Sequence, residues 1–240
     1  MLLEICTNSF QSAKNAQDAG ADRIELCSEL TLGGLTPSYG LIEKVLQELT
    51  TPVFVLIRPR SGDFNYTSAE FDVMLRNIAC CKKMGVQGIV SGILQKGFTI
   101  DQYRTEQLIN ASGDMQFTFH RAFDWVPNPV EGLEILTSLG VHRILTSGQQ
   151  QTAIAGADLL KQLLKQANDR LIILPGGGIN HTNVKTFIEA GFDEIHASAS
   201  SYTKYLLGRL PMHNVSAIEK GIQSYSDPEN IQQLLNTMRD

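Results

Sequence analysis

The 240-residue chain has no apolar stretch approaching the roughly 20 residues that span a bilayer, so no membrane partner is expected. It has no run of lysine and arginine either, and its net charge of −5 argues against a nucleic-acid partner. Cysteine is scarce: four in all, two of them adjacent at Cys80 and Cys81. That number cannot form the disulfide framework of a secreted domain, and a reduced, cytoplasmic setting is the expectation. No CxxC pair and no His/Cys spacing of a zinc site occurs. The opening Met1-Leu2-Leu3-Glu4-Ile5 carries no cationic segment or cleavage signal and reads as a strand from the start. Linkers and low-complexity tracts are missing too. One domain over residues 1–240 is expected, with enough chain to bury a full core.

What the chain does have is a phrase repeated four times: Gly20-Ala21-Asp22-Arg23-Ile24, Gly85-Val86-Gln87-Gly88-Ile89, Gly140-Val141-His142-Arg143-Ile144 and Gly191-Phe192-Asp193-Glu194-Ile195. A glycine just past a helix can take the left-handed conformation, and the apolar residue after it folds back on the last turn. Isoleucine then opens a buried strand. The phrases lie 65, 55 and 51 residues apart, each interval long enough for helix, strand, helix and strand. A pair of βα units repeated four times predicts eight strands and eight helices closed on themselves, a (β/α)₈ barrel of TIM type, whose typical length is roughly 250 residues.

Short runs apolar on both faces fall where that barrel needs strands: Leu2 to Cys6, Arg23 to Cys27, Val53 to Arg58, Gly88 to Ser91, Gln116 to His120, Arg143 to Thr146, Leu171 to Pro175 and Glu194 to Ser198. Helix starts are marked between them. Thr67 with Glu70 makes a capping box, Asn128-Pro129 a cap followed by an N1 proline, and Asp227-Pro228 repeats that device before the last helix. The segment at about 199–226 is longer than a barrel requires before its eighth helix. It reads as an irregular extension, and Tyr202, Tyr205, Leu206, Leu207 and Leu210 make it too apolar for simple disorder.

In such barrels the chemistry sits at the carboxyl ends of the strands. The first two strands end alike, in Leu3-Glu4-Ile5-Cys6 and Ile24-Glu25-Leu26-Cys27, so alternation sends Glu4, Cys6, Glu25 and Cys27 into the mouth. Two carboxylates there need partners or protons, and a structural ion-pair layer is the alternative to function. Arg58 and Arg60, at the end of the third strand, are the expected partners and a clamp for a carboxylate or phosphate. His120 ends the fifth strand and is the leading acid/base candidate, since imidazole titrates near neutral pH. Asp124 in the loop after it joins the catalytic candidates, and His196, on one face with Glu194 and Ser198, is a weaker one. Pro175-Gly176-Gly177-Gly178 follows the seventh strand, where this fold commonly cradles phosphate, so Gly177 and Gly178 are candidate backbone donors. Ser147 and Ser198 could add hydroxyls. The bland alternative is a tight strand-to-helix turn.

Cys80 and Cys81 face about 100° apart on a helix and cannot both close on one metal. Cys6 and Cys27 end adjacent strands on one face, close enough to share a soft ion, for which a thiolate pair selects Cu(I). Spacing alone favours two buried cysteines that simply fill space over a metal site, because free cysteine behaves as a small buried hydrophobe.

With these residues in hand, the chain resembles the CutC family of copper homeostasis proteins. The resemblance runs through Gly20-Ala21-Asp22-Arg23-Ile24-Glu25-Leu26-Cys27, Gly33-Gly34-Leu35-Thr36-Pro37-Ser38, Ile57-Arg58-Pro59-Arg60 with Gly62-Asp63-Phe64, Thr118 to Asp124, and Leu145-Thr146-Ser147-Gly148, and covers about residues 2 to 200. It implies a TIM-type barrel, a cytoplasmic location and copper handling, with Cu(I) at the cysteines that match Cys6 and Cys27. A copper carrier needs only two thiols and an entry path. Glu4, Glu25, Arg58, Arg60, His120 and a glycine loop around the same mouth suit acid/base chemistry on a small anion, such as a phosphorylated one. Copper handling leads and the enzyme is the alternative; the partners expected are a copper ion and a small anionic ligand, with self-association left open.

Overall fold

The repeated glycines end their helices as the phrase requires: Gly20, Gly85, Gly140 and Gly191 all have positive φ, between +78° and +94°. In the computed structural model, which describes residues 1–204 and 222–239, eight parallel strands follow these seams. They are β1 (Leu2–Thr7), β2 (Arg23–Leu26), β3 (Val53–Leu56), β4 (Gly88–Ser91), β5 (Gln116–Phe119), β6 (Arg143–Thr146), β7 (Ile172–Pro175) and β8 (Glu194–Ala197). Pairing runs in chain order from β1 to β7, and β8 pairs with β1. A bridge between Gly176 and His196 brings β8 back against β7, so the sheet closes into a barrel. The helices α1 (Phe10–Ala19), α2 (Tyr39–Glu48), α3 (Ser68–Met84), α4 (Gln102–Ser112), α5 (Pro129–Ser138), α6 (Ala157–Ala167), α7 (Lys185–Glu189) and α8 (Pro228–Arg239) alternate with the strands.

The start signals act as read. Thr67 and Glu70 exchange both bonds of the capping box, and Asn128 caps α5 with Pro129 inside its first turn. No described helix is long and apolar enough to cross a membrane.

Strand alternation sorts the side chains into two clusters. Leu3, Ile5, Ile24, Val55, Phe117, Phe119, Ile144 and Ile195 join the large core between sheet and helices. Cys6, Cys27, Phe54, Leu56 and Val90 form a second, smaller cluster inside the barrel. The rest of the barrel interior is unusually polar, which is where the site arises.

After β8 the segment expected to be irregular contains a two-stranded antiparallel hairpin, β9 (Ser200–Lys204) with β10 (Ile222–Ser226). Tyr202 there is 70% exposed. Tyr205, Leu206, Leu207 and Leu210 lie outside the described residues. The base of the hairpin is tied to the barrel: the Ser226 hydroxyl donates to the Cys6 carbonyl at 3.2 Å, and Asn15 donates to the Ser226 carbonyl at 3.0 Å.

Candidate functional site

The barrel interior is built in two levels. The lower level is an ionic ladder. Arg23 donates to Glu4 at 2.5 Å and to Glu194; Arg143 donates to the same Glu194 at 2.7 Å and to Gln116 at 2.5 Å. The Phe54 ring lies between the two guanidiniums, 4.7 Å from that of Arg23 and 5.3 Å from that of Arg143. Burial alone would raise the Glu4 pKa, but hydrogen bonds from His196 and Arg23 hold it at about 2. Glu4 is thus a fully buried, paired carboxylate below the mouth. Its partners are Arg23 and His196, not Arg58 or Arg60.

Above this lies a cavity of about 250 Å³ at the carboxyl ends of the strands, lined by Cys6, Glu25, Arg58, His120, Arg121 and His196 together with Gly177, Gly178 and Ser198. The Cys6 and Cys27 sulfurs are 3.8 Å apart, and the Cys6 thiol donates to Glu25 at 3.5 Å. Cys27 is sealed from above by Gly34, where a Cβ would fall 2.6 Å from Leu56 and 3.4 Å from Cys27. The ligand atoms of Cys6, Glu25 and His196 lie within 4.8 Å of one another, a group that could hold a metal ion. The hydrogen bond to Cys27, then burial and the Glu25 charge, push the Cys6 thiol well above its ordinary range. Glu25 is raised as well, by burial first and by Glu4 beside it, with His196 opposing. His196 is raised despite its burial, because Glu25 and Glu4 favour its cation; its Nδ1 stands 2.7 Å from Glu4. The ligand set therefore gains a histidine that the strand pattern had ranked second.

His120 departs from expectation. Its Nδ1 accepts from the Ala122 backbone at 3.2 Å, and burial, with the Arg58 charge second, holds its pKa at about 3. The ring stays neutral and does not titrate near pH 7. Its Nε2 has no partner among the described residues, and neither has Glu25 Oε2. Both are buried polar atoms on the cavity wall, and such atoms are rare in native proteins unless a ligand or water completes them.

The expected clamp divides. Arg58 lines the cavity but gives its terminal nitrogens to three backbone carbonyls, of Leu32, Gly34 and Gly62, at 2.9 to 3.0 Å. Arg60 does not reach the mouth. Because β3 stops at Leu56, alternation no longer governs the chain at Pro59, and Arg60 turns outward to Glu70 at 2.6 Å and Asp63 at 2.9 Å. Arg121 takes the place in the mouth instead. A short 3₁₀ turn over Arg121–Trp125 redirects it, Asp124 accepts from its Nε at 2.7 Å, and its Nη2 donates to Ser147 Oγ at 2.7 Å. Asp124 also accepts from Thr146 Oγ1 at 2.5 Å and from the Ser147 backbone at 3.0 Å. Asp124 and Ser147 are therefore positioning groups behind Arg121, and neither lines the cavity. Gly177 has φ +113°, a backbone conformation that favours glycine, and it stands beside the Arg121 guanidinium, with a Cβ there 3.5 Å from Nη1. Cys80 is half-buried and Cys81 lies in the helix-facing core, both outside the mouth.

Comparison with known proteins gives one answer. The model of the CutC family matches residues 1–201. A CutC family protein of Photorhabdus laumondii is 50% identical over 82% of this chain and 79% of its own length. The human copper homeostasis protein cutC homolog is 45% identical over 83% of this chain and 74% of its own. Among solved structures, the CutC protein of Streptococcus agalactiae superposes with a TM-score of 0.78 at 33% identity, over 82% of this chain and 98% of its own.

Proposed function

The chain belongs to the CutC family, and from that membership we propose that it serves copper homeostasis by binding Cu(I) through Cys6 and Cys27 at the barrel mouth. The observation that carries this reading is the thiol pair, 3.8 Å apart, with Cys6 on the wall of the cavity beside Glu25 and His196 and Cys27 buried behind it. Metal–thiolate bonds are about 2.3 Å long, so both sulfurs can reach one ion without a shift of the strands. Soft sulfur donors in a buried site select Cu(I) over the harder divalent ions. Cys6 is held protonated in the free protein, so copper displaces a proton, and uptake strengthens as pH rises. Entry is through the cavity, which Cys6 lines.

The test is retention of Cu(I) by the reduced protein against a chromogenic Cu(I) chelator. The parent keeps copper, a Cys6→Ser, Cys27→Ser double variant loses it, and a Cys80→Ser, Cys81→Ser double variant keeps it. Equal retention by the first variant and the parent would place copper elsewhere.

A second reading is favoured by different atoms. The unpartnered Nε2 of His120 and Oε2 of Glu25, with Arg121 above them, suit acid/base chemistry on a small anion. There Glu25, raised by burial, is the proton carrier, neutral His120 a hydrogen-bond donor, and Arg121 the clamp. Glu4 acts only through His196. Glu25 is common to both readings; the thiols belong to the first, and His120 and Arg121 to the second.

A further inference from the structure

We propose that the loops after β7 and β8, with Arg121, form a phosphate subsite, and that the anion of the mouth is a small phosphate monoester. This rests on the second reading above, that the mouth takes an anion, and adds the chemical class.

Four observations converge on the same place. Arg121 is braced at Nε and Nη2 by Asp124 and Ser147, which leaves Nη1 without an acceptor among the described residues, directly over Gly177. The backbone N–H groups of Gly178 and Ser198 have no acceptor among the described residues either, and the Ser198 hydroxyl donates to none. Gly178 and Ser198 line the 250 Å³ mouth cavity and also a neighbouring one of about 240 Å³ bounded by Asn180, Ala199 and Asn230, so they stand at the junction of the two. Finally, His120 Nε2 and Glu25 Oε2, in side chains 5% and 4% exposed, wait unpartnered on the wall of the first cavity.

A fixed guanidinium edge opposite two free backbone N–H groups is a tetrahedral-oxyanion receptor, and the position is the one this barrel architecture most often gives to phosphate. A bare phosphate would complete the junction but leave His120 and Glu25 unsatisfied. A phosphate with a short oxygenated carbon chain would satisfy both. With the phosphate at the junction of the two cavities, the mouth cavity of about 250 Å³ admits only a short chain beyond it. The thiols take no part in it, and it shares Glu25 with the metal-ligand group.

The probes are 2-phosphoglycolate, glycolate and inorganic phosphate, titrated calorimetrically against the metal-free protein. The parent is expected to bind 2-phosphoglycolate at least about tenfold more tightly than glycolate, the scale of a charge-assisted hydrogen-bond pair. Arg121→Gln should remove that preference, Arg121→Lys restore part of it, and Cys80→Ser with Cys81→Ser leave it intact. Glycolate binding as tightly as 2-phosphoglycolate overturns the phosphate subsite and leaves the anion reading standing. No binding of any probe at millimolar concentration overturns both. Should Arg121→Gln fail to fold, the parent's preference and Arg121→Lys decide the matter.

Discussion

The lower and upper levels of this barrel are made of the same residue types and obey opposite rules. Below, Glu4, Arg23, Glu194, Arg143 and Gln116 satisfy one another and enclose the Phe54 ring. Above, Glu25, His120, Arg121 and His196 surround an open cavity, and two of their buried atoms have no partner. Acid and arginine inside a barrel therefore do not by themselves mark a site. Completion does: a closed network holds the fold, and an unfinished one waits for a ligand. His196 joins the levels, touching Glu4 at 2.7 Å below while Glu25 lies 3.9 Å away.

The contrast can be broken by mutation. Arg23→Met takes a buried partner from both Glu4 and Glu194, leaving them only His196 and Arg143, and should cost about 3–5 kcal/mol in urea unfolding, as for other broken buried pairs. A loss under about 1 kcal/mol would show that the ladder is not what holds the barrel. A smaller effect is expected in the pH dependence. His120 is held at about 3 against an ordinary 6.5, so the unfolded state binds more protons between those values and stability falls as pH drops through that window. Glu4, held at about 2 against 4.5, adds to the loss only below pH 4.5 or so. His120→Gln should therefore flatten the stability slope between pH 6.5 and 5, while Glu25 and His196 act alike in both proteins. An unchanged slope would mean that His120 is not held neutral. The smallest effect is the most telling. Glu25→Gln at pH 7 should leave stability unchanged or raise it by up to ~1 kcal/mol, because a carboxyl raised by burial opposes folding more as pH climbs above its unfolded value. A loss like that of Arg23→Met would place Glu25 in the ladder.

Much of this was legible in the chain. The glycine seams worked because a positive φ past a helix is a demand few residues meet, and Gly20, Gly85, Gly140 and Gly191 meet it. Alternation placed Glu4, Cys6, Glu25 and Cys27 inside because β1 and β2 are regular where those residues sit. The same count applied to Arg23 and Glu194 would have found the ladder, since Arg23 shares its face with Glu25 and Glu194 with His196. It failed past the strand ends. Arg60 follows Pro59 beyond β3, and Arg121 is turned by the 3₁₀ segment after β5, neither of which obeys a period of two. His120 was placed correctly and its protonation misjudged, because burial and the Arg58 charge come from residues distant in sequence.

The claim that the open level is where copper enters is tested most directly by X-ray absorption at the copper edge on the Cu(I)-loaded protein. Two sulfur neighbours in the first shell are predicted, and their loss in the Cys6→Ser, Cys27→Ser variant. A first shell of nitrogen and oxygen alone in the parent would contradict it.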